Sequence, residues 1–179
     1  MTDSQTKRES NSPYTIMRRL TPNPTGMGDV YLAEVRARYV RRGQHANLPT
    51  QVVLKASKPE NILEDRLRKE VDLLRRCHHP NVVRIFPDPR STQQTPIYTA
   101  SYTIDGAQRY QYAMEYVGKQ SAAQLLEQKG RLGVQETLRI GIDIAKALEH
   151  IHAEHMLNLD IKPSNIILRP VPFWRKRQC

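Results

Sequence analysis

The sequence lacks the features that would tie a protein to a membrane or to an oxidising compartment. Its 179 residues include only two cysteines, Cys77 and Cys179, so no disulfide framework is indicated and a reducing compartment suits it. The N-terminus has no apolar signal core, and no run approaches the roughly 18 apolar residues of a membrane-spanning helix. We therefore expect a soluble, cytoplasmic protein with no membrane partner.

The positive charge is large but is not gathered into one motif. Lys and Arg number 28 against 18 Asp and Glu, which gives a net charge of +10. Such a charge favours anionic partners, among them nucleotides, acidic proteins and nucleic acid. The basic residues are scattered, apart from short clusters at 41–42 and 175–177, and no nucleic-acid recognition motif accompanies them. Nucleic acid is therefore not expected as a partner.

Apolar periodicity and turn residues predict an antiparallel sheet followed by helices. Five strands are predicted, over residues 14–20, 30–40, 51–55, 97–104 and 109–116. Three helices are predicted, over residues 60–77, 121–128 and 135–154. Asp105-Gly106 is expected to join the last two strands as a hairpin. Residues 87–96 are expected to be an inserted surface loop, and the third helix is apolar on more than one face, which predicts an exposed apolar patch.

Two sets of polar residues stand out against this pattern. Asp160, Lys162 and Asn165 fall within six residues, between the apolar segments 156–157 and 166–168, which are predicted to be short β segments. An acid, a cation and an amide held in this way indicate a catalytic loop. Glu70 lies on the apolar stripe of the first helix, where an unpaired carboxylate would be costly, and Lys55 on the third strand is its predicted partner. A solvated Glu70 is the alternative.

The spacing Asp-x-Lys-Pro-x-Asn at residues 160–165 resembles the catalytic loop of serine/threonine protein kinases. Further landmarks of that family follow in order between about residues 14 and 168. Residues 26–33 resemble the glycine loop of the bacterial-type enzymes, the pair Lys55 and Glu70 follows, and then His79-Pro80-Asn81. Residues 114–118 resemble the gatekeeper and hinge. Taken singly, residues 26–33 could equally be a plain hairpin turn. Residues 114–118 could equally be the end of a strand followed by a glycine turn.

The resemblance implies an α+β, protein kinase-like fold. The N-terminal lobe would be a five-stranded antiparallel sheet plus one helix, and the helical C-terminal lobe would be incomplete. Four divisions are expected. Residues 1–13 would be a disordered leader and residues 14–117 the N-terminal lobe with the hinge. Residues 118–168 would be a partial C-terminal lobe ending at the catalytic loop, and residues 169–179 a basic tail outside the family pattern.

The resemblance also implies phosphoryl transfer from ATP, with Mg²⁺, to a serine or threonine of a protein. Asp160 would orient the substrate hydroxyl and accept its proton, Lys162 would stabilise the transferring phosphoryl group, and Asn165 would hold Mg²⁺. The residues implied to contact the nucleotide are Gly26, Gly28, Val30, Lys55, Glu70, Met114, Glu115 and Val117.

The sequence departs from the family pattern at several positions. Asn23 and Thr25 stand at the first two glycines of the loop, Val53 replaces a small alanine, and residues 158–159 are Asn-Leu where the family has His-Arg. No Asp-Phe-Gly follows Leu168, and its Asp is the principal Mg²⁺ ligand of the family. We therefore expect a truncated chain that is inactive alone. The alternative is a non-catalytic, pseudokinase-like binding or regulatory module that docks on a partner protein or another kinase.

Overall fold

The computed structural model describes residues 12–21, 28–41, 48–58, 64–157 and 160–170. These residues form two compact units. One comprises the chain up to Asp72 together with Ile85–Glu115, and the other comprises Leu73–Arg84 together with the chain from Tyr116 onward. Parts of the predicted segments lie outside the described residues: the leader as far as residue 11, the start of the glycine loop at residues 26–27, the Asn-Leu pair at 158–159 and the tail from residue 171.

The first unit is built on one antiparallel sheet. Its strands are β1 (Tyr14–Arg19), β2 (Asp29–Val35), β3 (Gln51–Ala56), β4 (Ile85–Phe86), β5 (Ala100–Ile104) and β6 (Ala107–Glu115). The order is β1-β2-β3-β6-β4, and β5 also pairs with β6. The five predicted strands are present within the described residues. The structure adds β4, which at two residues is too short to show an alternating pattern.

The prediction of a strand over residues 30–40 is wrong in its second half. β2 ends at Val35, and a short helix, α1 (Ala37–Arg41), follows. The neighbouring strand β3 begins at Gln51, opposite Glu34, so it offers no ladder of partners beyond that point. The backbone therefore satisfies its hydrogen bonds within a helical turn, in which the Tyr39 N–H donates to the Arg36 carbonyl at 2.8 Å.

The two faces of the sheet bury different sets of side chains. One face holds the apolar core, which includes Tyr31, Val52, Leu54 and Ala113. The other face packs against α2 (Glu64–Leu74), whose Leu67 and Val71 are buried and which lies within the predicted helix over residues 60–77. The predicted surface loop after β4 is partly buried, because Asp88 is covered and accepts a hydrogen bond from the Tyr102 hydroxyl.

The predicted hairpin between the last two long strands is confirmed. β5 and β6 pair up to Ile104 and Ala107, and the two residues between them are Asp105 and Gly106. Their φ angles are 51° and 78°. Positive φ at both central residues is typical of the type I′ turn, whose twist matches that of the flanking strands.

The second unit contains two helices and a small two-stranded sheet. α3 (Ala122–Lys129) and α4 (Val134–Ala153) lie within a residue of their predicted bounds. β7 (Gln120–Ser121) pairs with β8 (Ile167–Leu168). The prediction of a β segment at residues 156–157 is wrong, because the Met156 N–H donates to the Ile151 carbonyl at 3.1 Å and extends the turn that ends α4.

α4 carries the exposed apolar stripe that its sequence predicts. Val134, Leu138 and Ile142 are spaced by four residues and are 76%, 58% and 53% exposed. Within the part of the chain that the structure describes, neither this helix nor any other combines the length and the apolar character needed to cross a membrane.

Candidate active site

The first unit contains an ion pair between strand and helix. The Lys55 Nζ atom on β3 lies 2.6 Å and 2.7 Å from the two carboxylate oxygens of Glu70 on α2. Their side chains are 17% and 37% exposed. A pair that remains partly in water contributes little to stability. Its main effect is therefore to bring the lysine cation of the sheet beside the carboxylate of the helix.

The strand register sets which residues share a face with this pair. Val30 is the cross-strand partner of Lys55, and Met114 is the partner of Val53. Cross-strand partners lie on the same face, as do residues two apart on one strand. Val30, Lys55 and Met114 therefore line one face of the sheet, with the bulk of Val53 between them.

The two remaining predicted hinge positions fall on either side of the boundary between the units. Glu115 is the last residue of β6 and pairs with Val52, so its side chain belongs to the opposite face from Met114. Val117 is half-buried and belongs to the second unit.

Gly28 is required by the packing of the sheet. Its φ is +110°, and a Cβ atom on it would lie 2.3 Å from the Ala56 carbonyl oxygen on β3. A side chain at this position would meet both a backbone clash and backbone strain. This glycine is therefore explained without any bound phosphate. Gly26, the other glycine predicted to approach the nucleotide, lies outside the described residues.

Asp29, the residue after Gly28, is the centre of a charge cluster that sequence reasoning missed. Its side chain is buried and accepts a hydrogen bond from Arg109 Nη1 at 2.6 Å and another from Arg19. Arg109 Nη1 also lies 3.4 Å from the hydroxyl of Tyr31. The cluster joins β1, β2 and β6 at the start of β2. The sequence signal was weak, because a single Asp after a glycine is ordinary in turns.

Tyr112 is a second residue that sequence reasoning missed. It is 2% exposed, pairs across the sheet with Lys55, and its hydroxyl donates a hydrogen bond to Glu70. Burial raises the pKa of this phenol, and the neighbouring carboxylate raises it further. The signal available in the sequence was the position of this tyrosine two residues before Met114, which places the two side chains on the same face of the strand.

The second unit brings the three predicted catalytic residues together. The Lys162 Nζ atom lies 2.8 Å from Asp160 Oδ1. The Asn165 amide nitrogen lies 2.9 Å from Asp160 Oδ2 and 2.9 Å from the Asp160 carbonyl oxygen. Both oxygens of the carboxylate therefore have a partner. The Asp160 and Lys162 side chains remain 43% and 48% exposed, so both reach solvent.

Short backbone contacts hold this loop in shape. Pro163–Asn165 form one 3₁₀ turn, and the Asn165 N–H donates to the Lys162 carbonyl at 2.9 Å. Beyond the turn, β8 pairs with β7. A Cβ atom on Gly118 would lie 2.7 Å from the Leu168 carbonyl oxygen, so only glycine permits this approach of the two backbones.

The predicted His79-Pro80-Asn81 turn is fixed to α4. The Asn81 amide donates to the Asp143 carbonyl at 3.0 Å, and the His79 ring stacks on His150 with the ring centres 5.4 Å apart. These contacts lie within the second unit, so the turn that follows α2 is anchored to a helix of that unit.

Comparisons with known proteins match this chain to protein kinases. The family model described as the protein kinase domain matches residues 38–172. A putative serine/threonine-protein kinase of Mycoplasma genitalium is 32% identical over 133 residues, which cover 72% of this chain and 33% of that protein. Aurora kinase B of Mus musculus is 24% identical over 164 residues, which cover 89% of this chain and 41% of that protein. The chain therefore spans less than half the length of either relative.

A structural comparison agrees at the level of the fold. The crystal structure of the Mycobacterium tuberculosis PknI kinase domain matches with a TM-score of 0.58 at 24% sequence identity. The match covers 88% of this chain and 56% of that domain.

Proposed function

The chain belongs to the protein kinase domain family, and from that premise we propose that it binds ATP and takes part in phosphoryl transfer to serine or threonine residues of proteins. The observation that supports this most directly is the Lys55–Glu70 ion pair, at 2.6 Å and 2.7 Å, on the sheet face that also carries Val30 and Met114. A lysine held by a helix glutamate suits the α- and β-phosphates of a nucleotide. The apolar residues beside it suit an adenine ring.

The catalytic residues would be those of the loop in the second unit. Asp160 would orient the substrate hydroxyl and accept its proton, because its carboxylate is held by two neighbours and still reaches solvent. Lys162 would stabilise the negative charge of the transferring phosphoryl group. A lysine two residues after the aspartate favours serine and threonine acceptors over tyrosine in this family.

The residues present fit both ATP and Mg²⁺. The Asn165 amide nitrogen is bound to Asp160, which leaves its Oδ1 atom for a cation. Oxygen is the ligand atom that Mg²⁺ prefers in proteins. When bound, the metal would neutralise phosphate charge during transfer. Asn165 would be its ligand from this loop.

A non-catalytic module is the second candidate. It is favoured by Asn-Leu at positions 158–159, where the family has His-Arg. In that case the chain would bind ATP, a protein or a partner kinase without turnover. For either candidate we propose a cytoplasmic setting, which the small number of cysteines supports.

Thermal-shift titration with ATP, with and without Mg²⁺, tests nucleotide binding by this chain. We expect ATP to raise the melting temperature of the wild-type chain and to have almost no effect on Lys55→Met. The matched control is Lys129→Met, which removes a lysine whose Nζ atom lies 2.6 Å from Glu136 in the second unit. This control should respond to ATP as the wild type does. The absence of any shift at millimolar ATP in the wild type would refute the proposed site.

A further inference from the structure

Glu70 accepts hydrogen bonds from two directions. From β3 it receives the Lys55 ammonium group at 2.6 Å and 2.7 Å. From β6 it receives the hydroxyl of Tyr112, which is the cross-strand partner of that lysine. The lysine and the tyrosine therefore stand side by side on the sheet and share one carboxylate of α2.

We propose that Tyr112 is a positioning residue that holds the Glu70 carboxylate toward the sheet and thereby fixes Lys55 for the nucleotide. The inference rests on the proposed function of the Lys55–Glu70 pair as a phosphate anchor. Tyr112 would not touch ATP. Its hydroxyl would act through the glutamate, and its ring would fill the space beneath α2.

Such a residue is needed because the Glu70 side chain is partly exposed to solvent. The Glu70 side chain is 37% exposed, so water competes for its carboxylate and its rotamer is not fixed by burial. An exposed lysine–glutamate pair by itself selects one geometry only weakly. A donor from a side chain that is 2% exposed is much less mobile. Hydrogen bonds to a charged partner are also stronger than neutral ones.

A neighbouring contact shows that β6 holds α2 at a second point. The Arg68 guanidinium lies 5.0 Å from the centre of the Tyr110 ring. Tyr110 and Tyr112 are two residues apart on one strand and so lie on the same face of the sheet. The first tyrosine contacts the helix through its ring, whereas the second does so through its hydroxyl. This difference provides a matched pair of variants.

The test is ATP titration of Tyr112→Phe, which keeps the ring and removes the hydroxyl. We expect ATP binding to weaken about three- to tenfold, less than the full value of a charged hydrogen bond because Lys55 still holds Glu70. Tyr110→Phe, which also loses only a hydroxyl, should leave ATP affinity unchanged. In a Glu70→Ala background, Tyr112→Phe should weaken ATP binding no further, because the acceptor is already gone.

The outcomes separate the two proposals. If Lys55→Met abolishes ATP binding while Tyr112→Phe binds like the wild type, the positioning role is wrong and the phosphate anchor stands. The positioning role is also overturned if Tyr112→Phe weakens binding equally with and without Glu70, because the effect would then be general packing. If Lys55→Met binds ATP like the wild type, the anchor is wrong, and the role inferred for Tyr112 falls with it.

Discussion

At the scale of single residues, Asp29 shows how a buried charge depends on its partners. Burial by itself would raise the pKa of this carboxyl, but the hydrogen bonds and charges of Arg109 and Arg19 outweigh it and hold the pKa below its ordinary value of 3.8. The folded state therefore binds this proton less readily than the unfolded state does. The resulting stability is fully present above pH 3.8 and is lost as the pH falls through the folded-state pKa.

We expect Asp29→Asn to lower the free energy of unfolding by about 3 kcal/mol at neutral pH, because it leaves two arginines without their counter-charge. The variant should also lose less stability than the wild type as the pH is lowered below 3.8. Urea denaturation at neutral and acidic pH measures both effects. Glu136→Gln is the control, since the pKa of this exposed carboxyl is also lowered, chiefly by its hydrogen bond from Lys129. Glu136→Gln should change the free energy of unfolding only slightly at neutral pH. If Asp29→Asn and the wild type lose the same stability on acidification, the prediction is contradicted.

At the scale of elements, α4 shows that a helix can be well formed and still leave apolar surface in water. Its stripe of Val134, Leu138 and Ile142 is more than half exposed, while Ala147 farther along is buried. Side chains that stay mostly in solvent contribute little burial energy in the folded state. They do favour association with other apolar surfaces.

We expect the double substitution Leu138→Lys and Ile142→Lys to change the free energy of unfolding by less than about 0.5 kcal/mol. It should also reduce self-association, measured by sedimentation velocity, and the fluorescence of a bound hydrophobic dye. Leu67→Ala in α2 is the contrasting control, because that side chain is 3% exposed and its truncation should cost about 2–4 kcal/mol. A loss above about 1 kcal/mol in the lysine variant would mean that the stripe is packed in the folded protein.

At the scale of the whole molecule, the sequence predicted those features that depend on local pattern. Alternation predicted the long strands, and a 3.6-residue period predicted α2 and α4. The Lys55–Glu70 pair was predicted because a carboxylate on an apolar helix stripe needs a partner, and the nearby apolar strand carries a lysine. The resemblance to protein kinases is confirmed by the family model over residues 38–172.

Features that depend on register between distant segments could not be predicted in this way. Arg109 is 80 residues from Asp29 in the sequence, and their contact requires β2 and β6 to lie in one particular alignment. Gly28 and Gly118 show the same limit. Each allows a close approach to another strand, so the sequence reveals a glycine but not the backbone that it meets. Tyr112 belongs to this group, because only pairing with Lys55 brings its hydroxyl to the helix.

The proposed function has two parts, nucleotide binding and phosphoryl transfer, and we expect these 179 residues tested by themselves to separate the two. ATP should bind, but transfer of labelled phosphate to a general serine/threonine substrate should not exceed that of Asp160→Asn. The reason is that the Asp of Asp-Phe-Gly, which holds Mg²⁺ in this family, is not among them. Loss of one source of transition-state charge stabilisation lowers a rate about 100- to 1,000-fold. Rapid phosphorylation that Asp160→Asn abolishes would show that other residues of the chain replace that aspartate.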